Sequence, residues 1–312
     1  MKEIVDLILE SMVKKDALSL PMADRYRATE NGIPAAIRHM TCWKSISKIN
    51  YITHLIEDEK RKQAVLVANV QEGEIESLLA FRVKAQNELI EELEIYTIRS
   101  RAEAGFWFWP EEMKNMPKGW SSPITEENKA SREELERLAK DIFEPKTSKH
   151  YLGSEDNFGM EAGSVVREHI DYISAMAVDG APAANFANVP ESGRIAMPML
   201  EMFPVRPEDL NARVLVVDES QGTIAVIGKV DGFVSPYIVS NETSTCFVPK
   251  EMIEMHRRTL TEERMKGQKL LEEMPATAVT LQIVRFHSGK IQGTDQIIVL
   301  GPCGSHIVWT EN

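Results

Sequence analysis

The chain repeats itself, and an internal repeat constrains architecture more tightly than any single motif. In the first half, His54-Leu-Ile-Glu-Asp58 runs through the polar Lys60-Arg-Lys62 into Ala64-Val-Leu-Val-Ala68. In the second, Val214-Leu-Val-Val-Asp218 runs through Ser220-Gln-Gly222 into Ile224-Ala-Val-Ile227. Each reads as a β-hairpin closed by a polar turn. Downstream, residues 78–85, the turn Gln86-Asn87-Glu88 and residues 89–98 are echoed by 279–286, His287-Ser-Gly289 and 290–300.

Upstream of each hairpin pair the order also matches: a helix, a short Ala/Pro-rich stretch and a Glu-x-Gly turn. These are residues 2–15, 17–21 and Glu30-Asn-Gly32 in one half, and 165–177, 181–184 and Glu191-Ser-Gly193 in the other. Asn31-Gly32 is a strong hairpin signal in its own right. A helix predicted over residues 35–47 has a weaker counterpart in the second half, where Pro198, Pro204 and Pro207 interrupt the pattern. Between the repeats, Ser131-x-x-Glu134 is a capping-box start, with Leu135, Leu138 and Ile142 as the buried stripe. The expected division is a first domain over 1–104, a connector with one helix over 105–160, and a second domain over 161–312. The second domain carries a charged helical insertion near 238–276.

Charge and composition narrow the function classes. With 36 Lys and Arg against 48 Asp and Glu, the 312-residue chain has a formal charge of −12, the wrong sign for tracking phosphates or an anionic membrane. No apolar run approaches the roughly 20 residues needed to span a bilayer, and Asp6, Glu10, Lys14 and Lys15 interrupt the N-terminal amphipathic segment, which excludes a signal peptide. Cys42, Cys246 and Cys303 are far apart and form no Cys-x-x-Cys pair, so a reducing, cytoplasmic setting without zinc or disulfides is expected.

A helix followed by curved antiparallel strands enclosing a pocket is the layout of the cone-shaped α+β fold. Ala17-Leu-x-Leu-Pro21, then Tyr26-Arg-x-Thr-Glu-Asn-Gly32, Trp43 and the Val-x-Asp-x-x-x-Gly hairpin at 216–222 resemble the nuclear transport factor 2-like, or SnoaL-like, superfamily. The resemblance covers residues 1–100 and 165–305. It implies two tandem cone-like domains, each a curved antiparallel sheet wrapped around helices, packed sheet to sheet as single-domain members pack in dimers. It also implies acid/base chemistry without a cofactor, by carboxylates or histidines in an apolar cone, although members of that superfamily also serve as binding modules or scaffolds.

Candidate residues follow from the strand and helix periods. On residues 89–98, Glu92, Glu94 and Tyr96 share one face, and the repeat places Asp295 opposite Glu94. Either pair of acids lines the cones, with Glu94 as general base at a pKa raised by burial, or both face solvent. His39 is the expected acid/base partner, one helical turn from Cys42 and Trp43, and Tyr26 the expected oxyanion donor; a structural role for each is the competing reading. Trp43, Tyr51, His54, Tyr96 and Trp107 are the expected substrate-binding residues. Trp107 belongs to an aromatic cluster, Phe106-Trp-Phe-Trp109 with Trp120, that reads as a ligand wall or as a plug between the repeats.

The expected activity is that of a lyase, isomerase or dehydratase acting on a hydrophobic small molecule, with no metal or cofactor, and with a second copy of the chain as partner if it is a homo-oligomer. The alternative is a non-catalytic ligand-binding or protein-interaction module of the same fold.

Overall fold

The computed structural model describes residues 1–99, 114, 118–141, 177–178, 181–182, 213–234, 247–249 and 274–304. The helices expected over 165–177 and 249–273 lie outside the described residues except for their end residues Ala177 and Pro249, which stand in strands, and the proline-rich stretch at 198–207 and Trp107 lie outside them altogether.

Helix α1 (Lys2–Lys14) buries Val5, Ile8, Leu9 and Met12, the face its apolar spacing dictates, and ends with Lys15 in the left-handed region at φ 60°. Strands β1 (Met22–Glu30) and β2 (Ile33–Pro34) are joined by Asn31 and Gly32, both at positive φ, as a two-residue hairpin turn requires. Residues 35–47 are not the single helix their spacing predicts. The chain forms a 3-10 turn at Ile37–His39, extends at Met40 and restarts as α2 (Cys42–Ser45). The reason is a contact from strand β1: the Glu30 carboxylate accepts the Thr41 and Cys42 N–H groups at 2.7 and 2.9 Å, capping a new helix there.

Strands β3 (Ile46–Asp58), β4 (Gln63–Glu72), β5 (Ile75–Gln86) and β6 (Leu89–Ile98) form an antiparallel meander, and β1 joins its far edge by pairing parallel to β6. The six-stranded order is β2-β1-β6-β5-β4-β3. Three register shifts along β3 bend this sheet around α1. The result is an α+β cone whose interior holds Ile8, Met12, Met40, Trp43, Leu66, Phe81, Leu93 and Ile95.

Beyond a short α3 (Lys118–Ser121), helix α4 (Arg132–Asp141) begins with the expected capping box, Ser131 and Glu134 exchanging hydrogen bonds of 2.8 to 3.2 Å. It buries Leu135 and Leu138. A two-stranded ribbon, β7 (Ala177–Val178) and β8 (Ala181–Pro182), precedes the second sheet. That sheet comprises β9 (Arg213–Asp218), β10 (Thr223–Val234), β11 (Phe247–Pro249), β12 (Met274–His287) and β13 (Lys290–Pro302). Both β9 and β11 flank β10, and β12 and β13 follow.

The sheets pack face to face. On β4, Leu66 and Ala68 point into the cone while Val65 and Val67 point out, where they meet Leu215, Ala225, Ile227, Leu281, Ile283 and Ile297. Burial on both faces accounts for the near-continuous apolar run of β4, in which Ala64–Val70 are all buried.

The two hairpin pairs agree in register. Asp58↔Gln63 and Asp218↔Thr223 close four-residue turns; Gln86↔Leu89 and His287↔Lys290 close two-residue turns. Each pair carries a register shift at the same place, after Lys84 in one and Arg285 in the other. Glu94, opposite Arg82, therefore corresponds to Asp295, opposite Ile283. By the same count His54, opposite Val67, corresponds to Arg213, opposite Ile227.

Candidate functional site

Glu94 does not line the cone. Leu93 and Ile95 point into the cone, whereas Tyr96 and Ile98 belong to the layer between the sheets, and Glu94 shares their face. There it is 1% exposed and bound by two guanidinium groups. Arg82 Nη1 donates to Oε1 at 2.7 Å, and Arg213 Nη2 reaches both oxygens at 2.5 and 2.7 Å. Arg82 also donates to Glu92 at 2.6 Å and to Gln63 at 2.8 Å, and Arg27 pairs with the other oxygen of Glu92. A carboxylate held this way is stabilised as an anion and has no free lone pair aimed at a cavity. Burial, with the Glu94 charge next to it, pushes the Tyr96 phenol well above its ordinary range.

The other expected catalytic residues do not converge on Glu94. His39 is exposed on its 3-10 turn, because the helix expected to carry it is broken at Met40, and Tyr26 is exposed on β1. Trp43 is buried in the cone and donates Nε1–H to Ser11 Oγ at 3.0 Å. Its neighbour Cys42 is also buried, and burial followed by the Glu30 carboxylate pushes its thiol far above the usual range. Tyr51 is half-buried at the intersheet cluster, its hydroxyl accepting from Asn69 at 3.2 Å.

His54 has a different setting. It is 6% exposed, and its Nε2 bonds Oδ2 of Asp295 on the opposite sheet. The Trp120 ring lies against it, with centroids 4.5 Å apart. Among the described residues nothing hydrogen-bonds His54 Nδ1 or Asp295 Oδ1. Burial pushes the Asp295 carboxyl up and outweighs the opposing influence of His54. His54 lines a cavity of about 190 Å³ together with Thr53, Trp120, Gln221, Thr223 and Arg285, and Asp295 stands behind it. Arg285 donates to the main-chain carbonyls of Trp120 and Ser122, the latter at 2.6 Å. Beside it His287 contacts Ser122 Oγ at 2.8 Å, and burial together with the Arg285 charge lowers its pKa.

Correspondence between the halves explains these contacts. Glu94 is bound by Arg213 of the other sheet, and Asp295, its counterpart, is bound by His54, the counterpart of Arg213. The aspartates at the hairpin turns behave alike. Asp58 accepts the Val217 N–H at 3.2 Å, and Asp218 accepts the Glu57 N–H at 3.5 Å. Such reciprocal contacts are those of an isologous interface.

The symmetry is broken where the pocket lies. The counterpart of Gly293 is Glu92, which fills its end of the interface with the Arg82 ion pair. At Gly293 the Trp120 indole packs so closely that a Cβ would lie 2.8 Å from it. Sequence reasoning named His54 and noted Asp295 but missed Arg213, Arg285, Gln221 and Thr223. The repeat as read from the sequence aligns His54 with Val214, and only the register shift between Ala225 and Val226 brings Arg213 to that place. Among the described residues no cluster of three or more His, Cys, Asp and Glu is placed to hold a metal.

No protein-family model matches the chain, and no curated protein matches it. Solved structures do. A nuclear transport factor 2-like protein of unknown function from Burkholderia xenovorans is 8% identical, with a TM-score of 0.27, over 40% of this chain and 94% of that one. A protein with a ketosteroid isomerase-like fold from Catenulispora acidiphila, solved with trimethylamine, is 16% identical, with a TM-score of 0.24, over 30% and 84%. A de novo designed protein with a curved β-sheet is 13% identical, with a TM-score of 0.24, over 31% and 86%. Neither a reaction nor a ligand of this chain follows from them.

Proposed function

We propose that this chain is a tandem of two cone-derived halves, and that it performs cofactor-independent proton transfer on a small molecule held between the sheets. The observation that carries this reading is the buried His54–Asp295 pair, whose histidine lines a cavity. With Nε2–H donated to Asp295, the imidazole keeps Nδ1 as a free acceptor, the arrangement of an oriented general base. Asp295 fixes the tautomer and stabilises the imidazolium that forms when His54 takes a proton. The apolar flank of the site is Trp120, which suits a flat hydrophobic molecule.

A specific observation favours the alternative, a non-catalytic ligand-binding or interaction module. The first cone, where acid/base chemistry was expected, is packed with Ile8, Met12, Met40 and Phe81, all fully buried. The two readings differ in a direct assay: deuterium exchange at the α-carbon of small ketones and carboxylic acids, followed by NMR. Proton transfer at His54 predicts exchange that is lost in His54→Gln and retained in His39→Gln and Tyr26→Phe. Binding of the same compounds without exchange, by protein whose fold is intact, selects the binding module.

A further inference from the structure

Arg285 is a half-buried cation at this interface that lacks a counter-charge among the described residues. Arg82 and Arg213 are paired with Glu92 and Glu94, and Arg132 with Asp58. Arg285 makes no ion pair among the described residues; its two hydrogen bonds go to neutral main-chain carbonyls and its Nε has no partner. A guanidinium has five N–H donors, so most of the fork is unused. In a chain of formal charge −12, an uncompensated and half-buried arginine at a cavity wall is an exception that calls for an anion.

Three other polar side chains of the wall already donate to protein acceptors. Thr53 donates to Val67 O at 3.1 Å, Thr223 to Gln221 O at 3.1 Å, and Gln221 to Leu55 O and Asp218 at 3.1 and 2.8 Å. Burial and the Arg285 charge both lower the His287 pKa. Asp295, behind His54, is 1% exposed and joined to that histidine, and it makes no ion pair with Arg285. At the corresponding end of the interface, Lys84 stands where Arg285 stands and pairs with Glu91 at 3.7 Å, and Glu92 fills the space. Among the described residues, the end at Arg285 has both an opening and a cation without an ion pair.

Resting on the intersheet site proposed above, we infer that its ligand is a small organic acid, with its carboxylate toward Arg285 and its flat apolar body against Trp120. Size supports a small ligand. At about 190 Å³ the cavity is below the roughly 300–1,000 Å³ of drug-sized sites.

The test uses the full chain and three probes, benzoate, its neutral isostere benzamide, and inorganic phosphate, with binding followed through the Trp120 indole and His54 imidazole resonances. Benzoate is expected to bind at least about ten-fold more tightly than benzamide or phosphate, as one charge-assisted contact provides. Arg285→Gln should erase that preference and Arg285→Lys should keep part of it, with thermal melts showing that both are folded. Equal binding of benzoate and benzamide, or a preference untouched by Arg285→Gln, overturns the organic-acid assignment while leaving the intersheet site intact. Phosphate binding as tightly as benzoate also overturns it. If no probe shifts Trp120 or His54, the intersheet site itself falls with it.

Discussion

His54 reaches from the first sheet to Asp295 on the second, standing to it as Arg213 stands to Glu94 in the opposite direction. One member of this reciprocal set is an arginine, permanently charged, and the other a histidine. The same position thus serves as a fixed clasp at one end of the interface and, in the proposed reading, as a proton-transfer group at the other.

Replacing the anion of the fixed clasp should be costly. Glu94→Gln leaves Arg213 without a counter-charge and removes one of the two carboxylates at Arg82, both buried. A loss of about 3–5 kcal/mol is expected from stranding buried charge, read by urea denaturation. A loss under about 1 kcal/mol would mean that the network contributes little.

The hairpin aspartates should be energetically coupled. Burial opposes ionisation of Asp58, but hydrogen bonds from Arg132 and from the Arg61 and Val217 N–H groups outweigh it and hold the carboxyl below its ordinary range. Asp58→Asn and Asp218→Asn should each cost about 1–3 kcal/mol. A double-mutant cycle should give a coupling of about 0.5 kcal/mol or more, because both close one interface. Strict additivity would show that the reciprocal contacts act independently.

Much of this architecture could be read from the sequence, since alternation and turn residues are local signals. The limits of α1, the four hairpins, the Asn31-Gly32 turn and the Ser131 capping box all stand as their residues suggest. What escaped was set by contacts distant in sequence. The pairing of β1 with β6 is parallel and non-local, and the break at Met40 depends on Glu30 reaching forward to cap α2. The face of Glu94 was ambiguous because β6 is buried on both sides. Alternation identified Glu92, Glu94 and Tyr96 as one set but could not say which set faced the cone. The site itself joins strands 241 positions apart, and no local pattern carries that distance.

Stability should depend on pH through Asp295. Its carboxyl is raised in the folded state above the usual 3.8, with burial as the leading cause. Below pH 3.8 both folded and unfolded chains hold the proton; above it the unfolded chain releases it first. The stabilising contribution is therefore full at low pH and is lost as pH rises through the folded value. The stability of wild type relative to Asp295→Asn should fall across that window in denaturation measured pH by pH. A rising difference would contradict the assignment.

Gly293 should resist substitution. A Cβ there would lie 2.8 Å from the Trp120 indole, so Gly293→Ala must displace the ring that flanks His54. A cost of about 1–3 kcal/mol is expected for this overpacking, with a shift in tryptophan emission. Unchanged emission and stability would show that Trp120 is not seated against β13.

The central claim is that the working site lies between the sheets and not inside the first cone. Chemical-shift mapping of the full chain with benzoate tests it most directly. The account predicts saturable shifts at the His54 imidazole, the Trp120 indole and the Arg285 guanidinium, with the Trp43 indole and Met40 methyl unmoved. Shifts centred on Trp43 and Met40, with His54 and Trp120 silent, would contradict it and return the site to the cone.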